Sequence, residues 1–265
     1  MEENEVIGVF DSGMGGLTAI KQIVKMMPHE DIIYFGDTGR VPYGTRSKET
    51  IIKYSCQDVR FLLSKGVDAI LIACGTVSAN AIEILRSEFN VPIFGVVEAA
   101  AEKACELTKN GKVGIIGTNA TVKSGAYVKH IESVRPDIET VSTPCPLFVP
   151  LVENGFTDPE DRITYLTAER YLEDIKRFGA DALILGCTHY PIIAPVISKV
   201  LPGVSLVNTG AEAAKRLFEN ITPGGGNGKI EYYVSDDINS FKSAASIYLE
   251  MPVGDNVFKV DIEKY

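Results

Sequence analysis

The chain has 265 residues, 45% of them hydrophobic, so it can form one large or two modest domains with buried cores and is not expected to be disordered. Lysine and arginine number 26 against 35 aspartates and glutamates, a formal net charge of −9 without any block of like charge. This balance disfavours nucleic acid or an anionic membrane surface as the partner and favours a small molecule.

The cysteine count and the N-terminus indicate a cytoplasmic protein. An odd number of cysteines in a chain of this length argues against a secreted disulfide framework and for reduced thiols. The first five residues are acidic where a signal peptide would be basic, and no apolar run approaches the roughly 18 residues of a membrane span. The cysteines are Cys56, Cys74, Cys105, Cys145 and Cys187.

Short apolar runs alternate with amphipathic stretches along most of the chain, which predicts an α/β fold. Because these runs are apolar throughout, we expect parallel strands covered on both faces, with ligand sites at their carboxyl ends. Residues 17–26 and 99–109 are expected to be helical, residues 222–228 to form a turn, and residues 229–234 an edge strand or hairpin arm. The other strand candidates are residues 6–10, 31–35, 69–73, 93–97, 113–116, 140–142, 182–185 and 205–207.

An internal repeat is the most informative feature of the sequence. Residues 66–74 (GVDAILIAC) and 179–187 (GADALILGC) align without a gap, and both end in a cysteine. A weaker match pairs residues 7–12 with 113–118. Duplication predicts two similar lobes with mainly parallel sheets, related by a pseudo-twofold axis, and it places the two cysteines face to face across a cleft. We expect residues 1–97 with 208–265 in the first lobe and 98–207 in the second.

Cys74 and Cys187 each follow a predicted buried strand at a loop that opens a helix. Unpaired N–H groups and the positive end of the helix dipole favour a thiolate there, so either sulfur could act as a base. Free cysteine is also among the most buried residue types, and a structural role is the alternative for each thiol alone. The paired contexts favour chemistry, whereas Cys56, Cys105 and Cys145 have no such context and are interpreted as structural.

Two loops and a group of threonines could contact a ligand. In residues 11–16 (DSGMGG), glycines permit close approach to the backbone, while Asp11 offers a carboxylate and Ser12 a hydroxyl, although either could simply cap the next helix. In residues 41–44 (VPYG), Tyr43 could project from an unusual backbone path or belong to an ordinary turn. The threonines near predicted helix starts could hold a carboxylate or serve as N-caps: Thr76, Thr118, Thr121 and Thr188.

His189 and Glu153 are candidate partners of a thiol. His189 follows Cys187 by two residues, and no further cysteine or histidine has zinc spacing, so we expect a general acid or base there and no metal site. Glu153 has apolar neighbours and could tune a thiol or lie on the surface.

Residues 11–16, 42–44, 73–76 (ACGT), 150–153 (PLVE) and 186–191 (GCTHYP) together resemble the glutamate racemases of the cofactor-independent aspartate/glutamate racemase family, over nearly the whole chain. The resemblance implies a cytoplasmic homodimer that interconverts L- and D-glutamate for peptidoglycan without a cofactor. It implies that Cys74, assisted by Asp11, removes the α-proton of D-glutamate. It likewise implies that Cys187, assisted by Glu153 and His189, removes the α-proton of L-glutamate. It assigns substrate contacts to Asp11, Ser12, Pro42, Tyr43, Gly44, Gly75, Thr76, Thr118, Thr121, Thr188 and His189.

The sequence departs from the family pattern at one position, and several alternative functions stay open. The family's asparagine after the first cysteine is Gly75 here, for which we expect altered substrate affinity and retained activity. An aspartate racemase or another cysteine-pair racemase is an alternative, because a pocket one methylene shorter changes discrimination by only about 1–3 kcal/mol. A noncatalytic amino-acid-binding module, or a dithiol redox protein that uses Cys74 and Cys187, belongs to a different class.

Overall fold

A computed structural model describes residues 5–222, 225–249 and 253–265, and these form two parallel β-sheets flanked by helices. The first sheet has the order β10-β9-β2-β1-β3-β4 and contains β1 (Val6–Asp11), β2 (Asp31–Gly36), β3 (Ala69–Ile72), β4 (Ile93–Gly95), β9 (Ile230–Val234) and β10 (Val257–Lys259). The second has the order β6-β5-β7-β8 and contains β5 (Lys112–Gly117), β6 (Glu139–Pro144), β7 (Ala182–Leu185) and β8 (Ser205–Asn208).

Helices connect the strands throughout. They are α1 (Leu17–Met26), α2 (Lys48–Ser64), α3 (Gly75–Asn80), α4 (Ile82–Glu88), α5 (Val96–Leu107), α6 (Asn119–Ser124), α7 (Ala126–Val134), α8 (Phe148–Glu153), α9 (Arg162–Phe178), α10 (Ala194–Val200), α11 (Thr209–Asn220) and α12 (Ile238–Leu249). Short 3-10 helices span Tyr43–Thr45, Tyr190–Ile193 and Ile262–Lys264. Within the described ranges, none of these helices has both the length and the apolar composition of a membrane span.

Strand β1 shows why the sheets form. Ile7 and Val9 are fully buried on one face, where α1 packs, and Phe10 is buried on the other, against α2. Burying each such side chain contributes about 1.5–3 kcal/mol. Both faces are therefore apolar and covered by helices, as the uninterrupted hydrophobic runs predict for parallel strands.

The strand register confirms the internal repeat. Strand order β2-β1-β3-β4 in the first sheet has its counterpart in β6-β5-β7-β8 in the second. Ile7 pairs with Ala69 between β1 and β3, and Val113 pairs with Ala182 between β5 and β7. The sequence alignment equates the same residues, so the two segments that end in cysteine occupy equivalent positions in two similar sheets.

The chain passes between the sheets twice. It leaves the first sheet after β4, enters the second through α5, and returns through α11, which packs against α5. The predicted lobe boundaries, after residues 97 and 207, fall within α5 and beside Asn208, the N-cap residue of α11. Their exact positions stay a prediction.

The structure corrects three sequence expectations. The strand predicted over 93–97 ends at Gly95, because Val96 already begins α5, and the helix predicted over 99–109 is the later part of α5. The prediction of an edge strand or hairpin arm over 229–234 is wrong, since β9 lies between β2 and β10 and is parallel to both. Of the turn predicted over 222–228, residues 223–224 lie outside the described residues.

Candidate active site

A cavity of about 300 Å³ lies where the carboxyl ends of both sheets meet. This size is at the small end of ligand pockets and suits a small metabolite. Loops that follow β1, β2 and β3 supply one wall, and those that follow β5, β6 and β7 supply the other. The lining residues are Ser12, Gly13, Val41, Pro42, Tyr43, Gly44, Thr45, Cys74, Gly75, Thr76, Thr118, Asn119, Pro146, Val149, Pro150, Glu153, Cys187, Thr188 and His189.

Cys74 lies at the end of β3 as the N-cap residue of α3. Its Sγ is 3.4 Å from Ser12 Oγ and is buried. Burial and, next, the negative charge of Asp11 raise the pKa of Cys74 to about 12, while its hydrogen bonds with Ser12 and with the Val77 amide oppose this rise. The raised pKa favours the thiol form of Cys74, which can give a proton.

Asp11 lies behind Cys74 and does not line the cavity. Its carboxylate accepts hydrogen bonds from the amides of Gly13, at 3.0 Å, and Gly16. Burial raises the pKa of Asp11, and the nearby charge of His189 opposes this rise. Asp11 Oδ1 has no hydrogen-bond partner in the described part of the chain, and the Cys74 thiol is close enough to the carboxylate to oppose the rise of its pKa.

Cys187 occupies the equivalent place after β7, but a turn and a 3-10 helix follow it before α10 begins. Cys187 therefore lies at a loop that leads into a helix, as expected, and the first helix is a short 3-10 helix with Pro191 near its start. His189 Nδ1 is 3.9 Å from the sulfur, and its Nε2 is 3.1 Å from Glu153 Oε1. The His189 ring thus connects the Cys187 thiol to the Glu153 carboxylate.

The partners of His189 favour its protonated form. Burial lowers its pKa, but hydrogen bonds to Cys187 and Glu153 outweigh burial and raise the pKa to about 10. The surroundings of the two thiols therefore differ, since the Asp11 carboxylate is near Cys74 and the His189 ring is next to Cys187.

The loop at residues 41–45 closes the first lobe's side of the cavity. Tyr43 lines it with its ring, but its hydroxyl turns away and donates to the buried carboxylates of Asp37 and Asp58. Arg40 binds the same carboxylates, at 2.6 Å and 3.1 Å. This buried network fixes the loop and leaves the ring, rather than the hydroxyl, to face a ligand.

Threonine hydroxyls form hydrogen bonds between the two lobes at the cavity. Thr76 Oγ1 is 2.9 Å from Thr118 Oγ1, which is in turn 2.9 Å from Thr121 Oγ1. Thr118 is also the N-cap residue of α6 and accepts from the Thr121 amide. Thr188 lines the cavity, and its carbonyl accepts a hydrogen bond from Thr18 at 3.0 Å.

Nearly all of the predicted site residues line this one cavity, with Asp11 and Thr121 just behind its wall. Sequence reasoning missed Tyr248 of α12. Its ring packs edge-on against the His189 ring, with 5.6 Å between the two ring centroids. No local motif marks Tyr248, which is far from His189 in the chain. Gly13 and Val41 line the cavity as parts of the two loops expected to contact a ligand, and the lining residues that were not anticipated are Thr45, Asn119, Pro146, Val149 and Pro150.

Cys56, Cys105 and Cys145 are buried and do not line the cavity, and all five cysteines, each in a described range, are free thiols. Between residues 5 and 265, apart from 223–224 and 250–252, no group of three or more histidine, cysteine or acidic side chains is arranged to hold a metal ion. Cys74 and Cys187 are the two thiols that face the cavity.

The backbone at Gly75 lies close to the opposite wall of the cavity. A Cβ built on Gly75 would lie 3.1 Å from the carbonyl carbon of Gly186, and closer still to its oxygen. A side chain at this position in the present chain therefore requires a local shift of one of the two segments. The expectation of altered substrate affinity and retained activity at position 75 stays a prediction.

Comparisons with known proteins agree with this site. A family model described as Asp/Glu/Hydantoin racemase matches residues 8–217. The glutamate racemase of Geobacter metallireducens is 43% identical over 98% of this chain and 97% of that protein.

Two solved structures are similar over almost the whole chain. Glutamate racemase from Francisella tularensis, in complex with D-glutamate, has a TM-score of 0.90 and 40% identity over 99% of both chains. Glutamate racemase isoform RacE1 from Bacillus anthracis has a TM-score of 0.92 and 31% identity over 98% of both chains. This chain therefore belongs to the Asp/Glu/hydantoin racemase family and, within it, to the glutamate racemases.

Proposed function

We propose that this protein interconverts L- and D-glutamate by a two-thiol mechanism without a cofactor. The observation that carries the proposal is that Cys74 and Cys187, from equivalent ends of duplicated sheets, line one small cavity. Inversion at the α-carbon needs a base on one face and an acid on the other, both within reach of the same carbon. Two thiols held on opposite lobes meet this requirement.

The neighbours of each sulfur support distinct roles. Cys187, next to the cationic His189 and Glu153, takes the α-proton of L-glutamate, while Cys74 gives a proton to the opposite face. The reverse reaction starts with Cys74 as the base and Asp11 as its partner. After each turnover the protonation states of the two thiols are exchanged.

Substrate binding falls to the hydroxyls and amides around the cavity. Thr76, Thr118 and Thr188, with the loop amides near Ser12, offer donors for the two carboxylates of glutamate, and Thr121 supports Thr118. Such fixed donors in a buried site stabilise the developing carbanion better than water does. We further propose that the protein is a cytoplasmic homodimer whose D-glutamate supplies peptidoglycan synthesis.

The test measures the inversion of the amino-acid α-carbon directly. Circular dichroism of L-glutamate, D-glutamate and L-aspartate incubated with the protein should show both glutamate enantiomers converging on the racemate, with aspartate much slower. Cys74→Ala and Cys187→Ala should each abolish inversion, and Cys105→Ala, which changes a buried thiol that does not line the cavity, should retain it.

Three other outcomes would contradict the proposal. Faster inversion of aspartate would favour an aspartate racemase. Binding of glutamate without inversion would identify a binding module. Oxidation that joins Cys74 to Cys187 under mild oxidant, again without inversion, would identify a dithiol redox protein.

A further inference from the structure

The orientation of the His189 ring decides two contacts at once. Its Nδ1 is 3.9 Å from the Cys187 sulfur, and its Nε2 is 3.1 Å from Glu153 Oε1. A rotation of the ring about its Cβ–Cγ bond would move both nitrogens away from these partners. Because the preference of that torsion is broad, the packing around the ring must hold it in place.

Tyr248 restrains the His189 ring on one side. The two rings are nearly perpendicular, at 87°, with their centroids 5.6 Å apart, which is the favourable edge-to-face arrangement of aromatic rings. Tyr248 is buried and does not line the cavity. The contact therefore lies behind the cavity wall, where it can fix His189 without touching a ligand.

A second restraint on His189 comes from the loop that follows β1. A Cβ built on Gly15 would lie 2.6 Å from His189 Nδ1 and 2.7 Å from its Cε1, so the Gly15 backbone lies directly against the ring. Thr18 Oγ1 holds this loop in place, since it is 2.8 Å from the Gly15 carbonyl oxygen and 3.0 Å from that of Thr188. The restrained ring follows a strand of the second sheet, whereas both restraints come from segments of the first.

The Tyr248 hydroxyl does not explain the contact with His189. Among residues 5–222, 225–249 and 253–265 this buried hydroxyl has no hydrogen-bond partner. Burial and, next, the negative charges of Glu153 and Asp11 raise the pKa of Tyr248, so it stays a neutral phenol that does not exchange a proton near neutral pH. The aromatic ring is therefore the part of Tyr248 that acts on His189.

We propose that Tyr248 is a positioning residue that holds the His189 ring in the plane where one nitrogen faces Cys187 and the other faces Glu153. The proposal rests on the proposed two-thiol racemisation, in which Cys187 exchanges a proton with the α-carbon of glutamate. Helix α12, which carries Tyr248, lies between β9 and β10 of the first sheet and packs against α1. An element of the first sheet thus orients the acid–base partner of the thiol that follows the second.

Loss of the Tyr248 ring should change the charge of His189 and slow the proton transfer at Cys187. The groups that favour the protonated ring are the Cys187 thiol and the Glu153 carboxylate, with the Asp11 charge nearby. A ring that can turn loses its hydrogen bonds and burial together, so its pKa moves from about 10 toward the ordinary 6.5. A misplacement of about 1 Å in a reacting pair costs about 100-fold in rate, and a turned ring that leaves the sulfur in place should cost less, about 10-fold in kcat.

The experiment compares three variants. Tyr248→Leu removes the ring, and Tyr248→Phe keeps the ring and removes the hydroxyl. Phe61→Leu is the matched control, because it also replaces a buried ring in edge contact with other rings. Phe61 contacts rings that do not line the cavity, namely Phe35, Tyr233 and Tyr265.

The readouts are the titration of His189 by nuclear magnetic resonance, kcat and KM for both enantiomers, and the isotope effect on kcat/KM with α-deuterated glutamate. In Tyr248→Leu we expect a lower pKa of His189 and a kcat about 10-fold lower, with a smaller change in KM. The isotope effect should rise with L-glutamate, whose deuteron Cys187 removes, and fall with D-glutamate, whose deuteron Cys74 removes. Tyr248→Phe should behave as wild type, and Phe61→Leu should lower the thermal midpoint of unfolding without moving these readouts.

An unchanged His189 titration or an unchanged kcat in Tyr248→Leu would overturn the proposal. A loss in Tyr248→Phe as large as in Tyr248→Leu would also overturn it, and so would the same shift of the isotope effects in Phe61→Leu. If Tyr248→Leu does not fold, Tyr248→Met, which fills the space with a flexible side chain, is held to the same expectations. Absence of inversion in the wild-type protein would instead refute the proposed function, and the His189 titrations would still decide whether Tyr248 positions the ring.

Discussion

Replacing Glu153 by glutamine removes the negative charge that faces His189 while it keeps the size of the side chain. The Glu153 Oε1 atom is 3.1 Å from His189 Nε2, and the hydrogen bonds to Cys187 and Glu153 raise the pKa of His189 to about 10. We therefore expect Glu153→Gln to lower the pKa of His189 and to reduce the positive charge next to Cys187 at alkaline pH.

The expected loss of unfolding free energy depends on how exposed the Glu153 side chain is. A hydrogen bond to a charged group contributes about 1.5–3 kcal/mol, and the Glu153 side chain is 38% exposed, so solvent screening lowers the expected loss to about 1–2 kcal/mol. Because the pKa of His189 is raised on folding, this stabilisation is fully present below its ordinary value of 6.5 and disappears as pH rises through about 10. Wild type and variant should therefore differ in unfolding free energy near neutral pH and converge above pH 10.

Two assays test this expectation. A titration of the His189 ring by nuclear magnetic resonance gives its pKa in both proteins, and the pH profile of kcat gives the alkaline limit of activity. Both should move to lower pH in Glu153→Gln, and neither should move in Glu160→Gln, which changes an exposed carboxylate paired with Lys199. An unchanged His189 titration, or an alkaline limit that stays in place, would refute the electrostatic role of Glu153.

Two further substitutions probe the other thiol and the cavity loop. Asp11→Asn removes a charge that helps raise the pKa of Cys74, so that pKa should fall and iodoacetamide should alkylate Cys74 faster at a fixed pH, as mass spectrometry would show. Tyr43→Phe removes the hydroxyl that donates to the buried carboxylates of Asp37 and Asp58. It should cost about 1–3 kcal/mol of unfolding free energy in urea denaturation and raise KM for glutamate.

Controls separate these effects from general damage. Tyr54→Phe removes a hydroxyl from a ring 5.4 Å from that of Tyr43, and it should cost much less stability. Equal losses in both tyrosine variants would contradict the anchoring role of the Tyr43 hydroxyl. Slower alkylation of Cys74 in Asp11→Asn would contradict the influence of the Asp11 charge on that thiol.

Local sequence patterns predicted the fold and most of the residues that line the cavity. The alternation of buried strands and amphipathic helices is readable because each strand is apolar on both faces, as Ile7, Val9 and Phe10 show for β1. The internal repeat located both thiols, because equivalent strand ends carry Cys74 and Cys187. Strand β10 was missed since three residues are too few to show a period.

Contacts between distant segments could not be predicted. Tyr248 reaches His189 from the C-terminal helix, and the Tyr43 hydroxyl turns into a buried charge network, although nothing in either local sequence indicates such a partner. These are features of how the sheets face each other rather than of any single motif.

The most direct test of two opposed thiols is the position of deuterium after the first turnovers of L-glutamate in deuterated water. If Cys187 removes the α-proton and Cys74 delivers a solvent-derived one, the D-glutamate formed carries deuterium at its α-carbon while the remaining L-glutamate is still unlabelled. Equal labelling of recovered L-glutamate and product would indicate a single base that serves both faces, and would contradict the two-thiol account.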